Sequence, residues 1–283
     1  VSQGLVLPLS ILPNGAPADL GADVTDVLGI KKYDPEAQQE AQLLTKQPQK
    51  PQSAIARFLM RFKWYRKLFM KPKRKGGFPD WIVKTDETRI QNLTTLFEME
   101  RNKGTKFSVT EKVDGQSATY YLRKVSKRKY EFGVCSRNIY LGTPDNSSYW
   151  TIAKKYNIEN VLRQLIGDYE TIVLQGEICG NQIQGNKYHI SGYDLFAFNL
   201  IYPDHKCGTA EIKKLLEPYG IKTVPIVEED KTLPETIAEL VEYSKGKSVV
   251  RKEQKREGVV MRNVRSNISF KVINPDFLLA EKD

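Results

Sequence analysis

Runs rich in aromatic and β-branched residues recur along the second half of the chain, at 107–110, 117–125, 130–135, 171–178 and 193–202, and again at 257–263 and 268–273. Each has strand length and is bounded by turn residues, so each predicts a β-strand. Between them the pattern changes to helical spacing over 147–165, where Tyr149, Ile152, Tyr156, Val161 and Leu165 recur, and over 209–217 and 234–244. Just upstream, Ile90, Leu93, Leu96 and Phe97 share one helical face. Thr85 or Asp86 is the expected N-cap of that helix and Gly104 its stop. Strands interspersed with surface helices predict an α+β domain of antiparallel sheets flanked by helices, over residues 76–283.

The pattern before residue 76 differs. Residues 1–33 read as strand pieces and turns, with a capped helical turn near Asp23-Val-Thr25 and Asp26-Val-Leu-Gly-Ile30. From Pro35 to Pro51 the chain turns to Gln, Pro, Ala and Lys, the composition of a linker. Residues 54–75 hold nine cations and no acid, with Phe58, Phe62, Tyr65 and Phe69 at helical spacing. That is a basic amphipathic helix within a 34–75 connecting segment. Three uses compete for it: packing on the main domain, gripping RNA through Arg57, Arg61, Arg66 and Lys67 while the aromatic rings stack on bases, or lying on an anionic membrane.

Charge bears on that choice. The 283 residues carry 44 Lys and Arg against 34 Asp and Glu, a net charge of +10, and the pI near 9.3 favours a polyanionic partner. Cys135, Cys179 and Cys207 are far apart and form no CxxC pair, so the sequence suggests neither a disulfide framework nor a zinc site, and a reducing, cytoplasmic setting fits. His189 and His205 have no partner at ligand spacing. No apolar run reaches transmembrane length and no signal peptide is visible. The start at Val1 rather than Met reads as a trimmed fragment.

Candidate chemistry gathers at Glu111-Lys112-Val113-Asp114-Gly115, where a lysine ends a strand-like run and an Asp-Gly turn follows. A lysine amine attacks carbonyl carbon or phosphorus once its pKa is lowered by desolvation or neighbouring cations, and Asp114 is placed to hold a metal beside a phosphate. Average residue usage gives Lys-x-Asp-Gly by chance in roughly 5% of chains this long, so the motif needs support from elsewhere. Gly180-Asn-Gln-Ile-Gln-Gly185-Asn-Lys187 resembles a P-loop only superficially. An extra Asn precedes its lysine and Tyr188 stands where a metal-binding Ser or Thr belongs, so a hairpin between two strands is expected.

Support comes from charged residues at the ends of later strands: Ser136-Arg137-Asn138, Glu177 in Val173-Leu-Gln-Gly-Glu-Ile178, Phe198 in Tyr193-Asp-Leu-Phe-Ala-Phe-Asn-Leu200, Glu257-Gly-Val-Val-Met-Arg262, and Ser269-Phe-Lys-Val-Ile-Asn274. With the lysine segment, and in this order, they resemble motifs I, Ia, III, IIIa, IV and V of the covalent nucleotidyltransferases: DNA ligases, RNA ligases and mRNA capping enzymes. Lys84-Thr85-Asp86-Glu87-x-Arg89-Ile90-Gln91-Asn92 resembles the segment upstream of the lysine in ATP-dependent RNA ligases of the second, double-strand-repairing type. The opening Ser-Gln-Gly-Leu with Asp-Val-Thr-x-x-Leu-Gly-Ile resembles the junction after the N-terminal OB module of Deinococcus/Naegleria-type RNA ligases. The likeness covers roughly 76–280 well and 1–33 more loosely.

The resemblance implies the ligase adenylation fold, which is ATP-grasp-like. It also implies an ATP-dependent reaction in which Lys112 takes up AMP, passes it to an RNA 5′-phosphate, and a 3′-OH then seals the strand. Lys271 would contact the α-phosphate and lower the Lys112 pKa, and Asp114 and Glu257 would hold Mg²⁺ or Mn²⁺. Arg137 and Glu177 would address the ribose or the substrate phosphate, Phe198 would stack on adenine, and the Glu111 carbonyl would read the adenine amine. Arg89 and Gln91 would face nucleic acid. The expected partner is nicked duplex RNA, with a monomeric enzyme and no membrane. Many members carry Lys-x-Lys in motif V, whereas here the second place is Ile273; Arg262 or Arg265 is a candidate for the missing charge. The chain ends about ten residues past motif V, before the C-terminal OB domain and motif VI of DNA ligases and capping enzymes, which favours an RNA ligase. The competing readings are a guanylyltransferase or DNA ligase with the same lysyl chemistry, and a non-catalytic RNA-binding protein.

Neutralising Arg57, Arg61, Arg66 and Lys67 together is expected to weaken RNA affinity and flatten its salt dependence by up to about four units of slope, one for each phosphate left unneutralised. Filter binding across a salt series checks this; an unchanged slope returns the segment to packing or membrane duty.

Overall fold

The computed structural model describes residues 76–280, with positions 12, 13, 24 and 27–29 upstream. The chain divides into two compact units, Val1–Lys50 and Pro51–Asp283, and residues 76–280 lie in the second. The linker and the basic segment, with Arg57, Arg61, Arg66 and Lys67, lie outside the described residues. The expected turn near the N-terminus is present at 27–29, where the Leu28 amide donates to the Val24 carbonyl at 3.0 Å.

In chain order the elements are α1 (Thr94–Asn102), β1 (Phe107–Glu111), β2 (Gln116–Ser126), β3 (Lys129–Cys135), α2 (Ser148–Lys155), α3 (Ile158–Leu165), β4 (Thr171–Gly180), β5 (Tyr193–Ile201), α4 (Thr209–Leu216), β6 (Lys222–Thr223), β7 (Ile226–Lys231), α5 (Ile237–Ser244), β8 (Gly258–Asn263), β9 (Ile268–Ile273) and α6 (Pro275–Ala280). They build two sheets, of order β7-β1-β8-β9 and β3-β2-β4-β5-β6. Every pairing is antiparallel except β5 with β6, which is parallel.

The two-residue side-chain period of a strand sorts the faces. On the larger sheet Ala118, Tyr120, Leu122, Leu174, Ile178, Leu195 and Ala197 are buried under α2, α3 and α4. Ser117, Glu177 and Phe196 are register partners, so they share the opposite face. On the smaller sheet Val109, Val259, Met261 and Val272 pack with Phe97 of α1 and Leu240 of α5. Thr110, Val260 and Lys271 are partners on its other face. These second faces meet across a cleft: the Arg262 guanidinium from the smaller sheet lies 5.5 Å from the Phe198 ring of the larger.

Three expectations need correction. The helix expected from Thr85 or Asp86 begins only at Thr94, after a 3₁₀ turn at Ile90–Asn92. Thr85 Oγ1 instead bonds Ser117 Oγ at 2.6 Å, Asp86 pairs with Arg137 at 2.7 Å, and the Lys271 amide donates to the Thr88 carbonyl at 2.9 Å. The open edge of β9 offers this segment partners that a free helix end does not, and tertiary pairing overrides the local cap signal. The helical stretch over 147–165 breaks in two at Asn157, whose φ of 47° is left-handed. Finally β6 and β7 add to the expected strands; one is too short for any period to show and the other, Ile226–Lys231, has four charged residues of six.

Asn157 tolerates this conformation better than other non-glycine residues, so Asn157→Val is expected to lower stability by about 1–2 kcal/mol while Asn157→Gly is nearly neutral. Urea unfolding of the two variants checks the difference.

Candidate active site

Lys112 follows β1 directly, and its backbone is pinned on both sides. The Glu111 amide donates to the Pro225 carbonyl at 2.8 Å and the Lys112 amide to the Gly258 carbonyl at 3.0 Å. The turn after it closes onto β4. A Cβ on Gly115 would lie 2.5 Å from the Ile178 carbonyl oxygen and 2.8 Å from Glu177 Cγ, so only glycine fits there. The sequence therefore places Lys112, Asp114 and Glu177 together through one close backbone approach.

The Lys112 ammonium donates to Glu257 Oε2 at 2.6 Å, with side-chain exposures of 25% and 15%. Glu257 stands just before β8, where its carbonyl accepts from the Asn274 amide at 2.9 Å. Asn274 Nδ2 also donates to the Arg256 carbonyl at 2.9 Å. The Arg256 guanidinium in turn donates to the carbonyls of Tyr243, Ser244 and Lys245 at the end of α5, so the strand entry is fixed to the helix terminus. Asp114 Oδ2 accepts from Lys187 Nζ at 2.6 Å, and the Asp114 amide donates to the Tyr188 hydroxyl at 2.8 Å.

Burial by itself pushes the Lys112 ammonium down, yet the carboxylates of Glu257, Glu177 and Asp114 outweigh it, and its pKa stands above the ordinary lysine value. Glu257 is also raised, first by burial and then by Asp114, against the pull of Lys112. The two shifts have one origin, since three carboxylates crowd one ammonium. Lys271 is lowered by burial, by Lys112 and by Arg89. The expectation that Lys271 lowers the Lys112 pKa is therefore corrected: its repulsion is present, and the surrounding acids exceed it.

The other anticipated residues line the same cleft. Phe198 is half-buried on β5 beside a cluster of Val113, Cys179, Tyr188, Phe196 and Val224. Arg137 and Asp86 pair at its rim. Glu111 Oε2 accepts from the Val249 amide at 2.7 Å, while Oε1 is buried with no partner among the described residues. Its carboxyl is raised, chiefly by burial.

The RNA ligase family model matches residues 105–273. A Naegleria gruberi RNA ligase variant solved with ATP and Mn is 31% identical, with a TM-score of 0.69, over 100% of this chain and 73% of that one. The same ligase solved with PPi gives 32% identity and a TM-score of 0.69, over 100% and 74%. Another variant, with AMP and Mn, gives 31% and 0.69, over 99% and 74%. The chain belongs to the RNA ligase family. Among curated proteins none matches.

Several features of the ligase's cleft are not legible in the sequence. Lys187 and Tyr188 come from the loop after β4, which is the expected hairpin connection, yet they reach back to clamp Asp114. A lysine in a Gly/Asn-rich loop beside the Glu177 strand is the available signal. Arg89 is exposed and bridges Lys271 by backbone pairing, so it brings a second cation to the edge that lacks one at Ile273. Gln91 is exposed in the 3₁₀ turn. Arg262 does not supply that charge: it donates to Thr110 Oγ1 at 2.9 Å and lies 3.6 Å from Glu87. Arg265 sits in the β8–β9 turn, about 20 Å along the strand from Gly258 at 3.3 Å per residue. Lys206, beside Arg262, is lowered to about 8, first by burial. His205 and Cys207 on the β5–α4 connection and Glu211 in the first turn of α4 bring ligand atoms within 4.8 Å of one another. This juxtaposition corrects the reading that His205 lacks partners, although burial holds the Cys207 thiol protonated, at about 12.

Replacing Glu257 by Gln removes a carboxylate bonded to Lys112, so the Lys112 pKa is expected to fall and its labelling by an amine-reactive reagent at pH 9 to rise severalfold. Peptide mass spectrometry over a pH series reads this directly, and slower labelling in the variant contradicts the charge assignment.

Proposed function

We propose that Lys112 is the nucleophile with which this ATP-dependent RNA ligase takes up AMP. One observation carries the reading: a lysine anchored on both sides of its strand stands among Glu257, Glu177 and Asp114, with Lys271 and Arg89 on the neighbouring strand edge.

The Lys112 amine, once its proton is lost, attacks the α-phosphorus of ATP. A P–N bond forms, the bond to the β-phosphate oxygen breaks, and pyrophosphate leaves. AMP then passes to the oxygen of an RNA 5′-phosphate and frees the lysine. The 3′-hydroxyl attacks that 5′-phosphorus, and AMP departs with the bridging oxygen. Each step is a displacement at phosphorus, so positioning and charge neutralisation carry most of the rate.

Lys271 and Arg89 face the phosphates in this scheme, and the Arg89 guanidinium takes the place left by Ile273. Arg137 and Glu177 address the ribose or the RNA 5′-phosphate, and the Phe198 ring stacks on adenine. The Glu111 carbonyl reads the adenine amine, with the buried Glu111 side chain holding the 248–250 loop beneath it. Asp114 and Glu257 are paired oxygen donors beside the nucleophile, the donor type that Mg²⁺ and Mn²⁺ prefer, and both are partly buried, so the site fits a divalent cation. When bound there, such an ion neutralises the carboxylates that hold the Lys112 proton and the charge that develops on the phosphate. The Naegleria ligase solved with ATP and Mn supports ATP and a divalent cation as the cofactors.

Nicked duplex RNA is the substrate, gripped in part by residues 54–75, and the enzyme acts as a monomer. Three buried free cysteines support a reducing, cytoplasmic setting, and among the described residues no helix is long and apolar enough to cross a membrane.

Incubation with α-labelled ATP and Mg²⁺ or Mn²⁺ is expected to label the protein, and Lys112→Ala to abolish the label. Lys271→Ala and Arg89→Ala are expected to slow labelling by about 10²–10³-fold, the usual effect of removing one group that stabilises transition-state charge. Persistent label in Lys112→Ala, or sealing of nicked DNA in preference to nicked RNA, would overturn the reading.

A further inference from the structure

We propose that Lys187 is a positioning residue that holds the Asp114 carboxylate in the cation-free enzyme and must release it when the divalent cation binds. The inference rests on reading Asp114 as a ligand of that cation.

Lys187 Nζ donates to Asp114 Oδ2 at 2.6 Å, with side-chain exposures of 25% and 14%. An ammonium in that position occupies the oxygen a metal would use. Both cannot share it, because a monovalent and a divalent cation about 3 Å apart in a partly desolvated site repel strongly. The arrangement mirrors the one beside it, where Lys112 Nζ and Glu257 Oε2 stand 2.6 Å apart. Each expected metal carboxylate thus carries a lysine as its partner in the free enzyme. Displacing the first pair opens the cation site, and displacing the second frees the nucleophile.

The loop that presents Lys187 is held in a defined shape. Gln182, Gln184, Gly185, Asn186 and His189 all have positive φ. Asn186 Oδ1 accepts from the Ile190 amide at 3.0 Å, and Asn186 Nδ2 donates to the Ile190 carbonyl at 3.1 Å. The neighbouring Tyr188 hydroxyl accepts from the Asp114 amide at 2.8 Å. A loop so fixed, touching both backbone and carboxylate of the same aspartate, sets the direction in which Asp114 points.

A second contact holds the paired ammonium. Lys187 Nζ lies 4.4 Å from the centre of the Phe277 ring, on α6. A cation–π contact of this kind retains an ammonium without competing for the carboxylate. Phe277 therefore adds to the hold on the ammonium in its paired position beside Asp114.

The test is Mn²⁺ binding to the nucleotide-free protein, followed by the loss of free-Mn²⁺ electron paramagnetic resonance signal. Lys187→Met is expected to tighten Mn²⁺ binding by about fivefold or more, the equivalent of one modest ion pair removed from the competition, and Lys187→Arg to restore the original affinity. Phe277→Leu is expected to act in the same direction and tighten Mn²⁺ binding more modestly, since the ammonium loses a contact that helps hold it beside Asp114. Unchanged or weaker binding in a Lys187→Met protein with native circular dichroism overturns the proposal; if that variant does not fold, Phe277→Leu decides it, unchanged or weaker binding being the contrary result. Asp114→Asn separates the role of Lys187 from that of the aspartate: if it leaves Mn²⁺ affinity intact, Asp114 is no ligand and the reading beneath this one fails, whatever Lys187 does.

Discussion

Lys112 stands, in this protein, among carboxylates that favour its protonated form. Burial pulls the Lys112 pKa down and the three acids pull it up, with the acids ahead. The resting site therefore favours the ammonium form of Lys112. Neutralising or displacing the acids would reverse the balance, because the acids and the lysine are held within a few ångströms. The Glu111 amide bonded to the Pro225 carbonyl and the Lys112 amide bonded to the Gly258 carbonyl keep that distance.

The fold supplies this rigidity from two directions. The smaller sheet brings Lys112, Glu257 and Lys271 to one end of adjacent strands, so their separation follows from strand spacing rather than from side-chain choice. The larger sheet contributes Glu177 and Phe198 from its exposed face, while its other face is committed to the hydrophobic cluster under α2, α3 and α4. Gly115 joins the two, because only a residue without a side chain lets the turn after Lys112 approach β4 so closely. A cleft made this way is wet and charged on both walls, yet stands on two dry cores.

Phosphate chemistry needs positive charge, and its distribution here departs from the Lys-x-Lys pattern of related strands. Ile273 is buried and offers none. The extended segment before α1 compensates by pairing along β9 and setting Arg89 beside Lys271. A sheet edge that would otherwise be open is thus covered and made cationic by one stretch. Arg262, which sequence proximity favoured for the same task, is drawn instead between Glu87, Thr110 and the Phe198 ring.

The sequence alone determined the strands that carry Lys112, Glu177, Phe198 and Lys271, because each is a run of aromatic or β-branched residues whose period shows in one dimension. It also determined the order of the charged residues at their ends, and with that the nucleotidyltransferase character of the chain. Pairing partners were beyond it. Thr85 and Asp86 have the chemistry of a helix cap, and only the open edge of β9 made them part of a sheet border. Asn157 broke a helix whose apolar spacing runs on past it, since left-handed backbone leaves no mark on periodicity. Lys187 lies 73 positions from Asp114, and only the pairing of β2 with β4 brings the loop beyond β4 back to that aspartate. The sign of the shift on Lys112 belongs to the tertiary structure as well, for charges act through space, and which charges are near is settled only when the chain has folded.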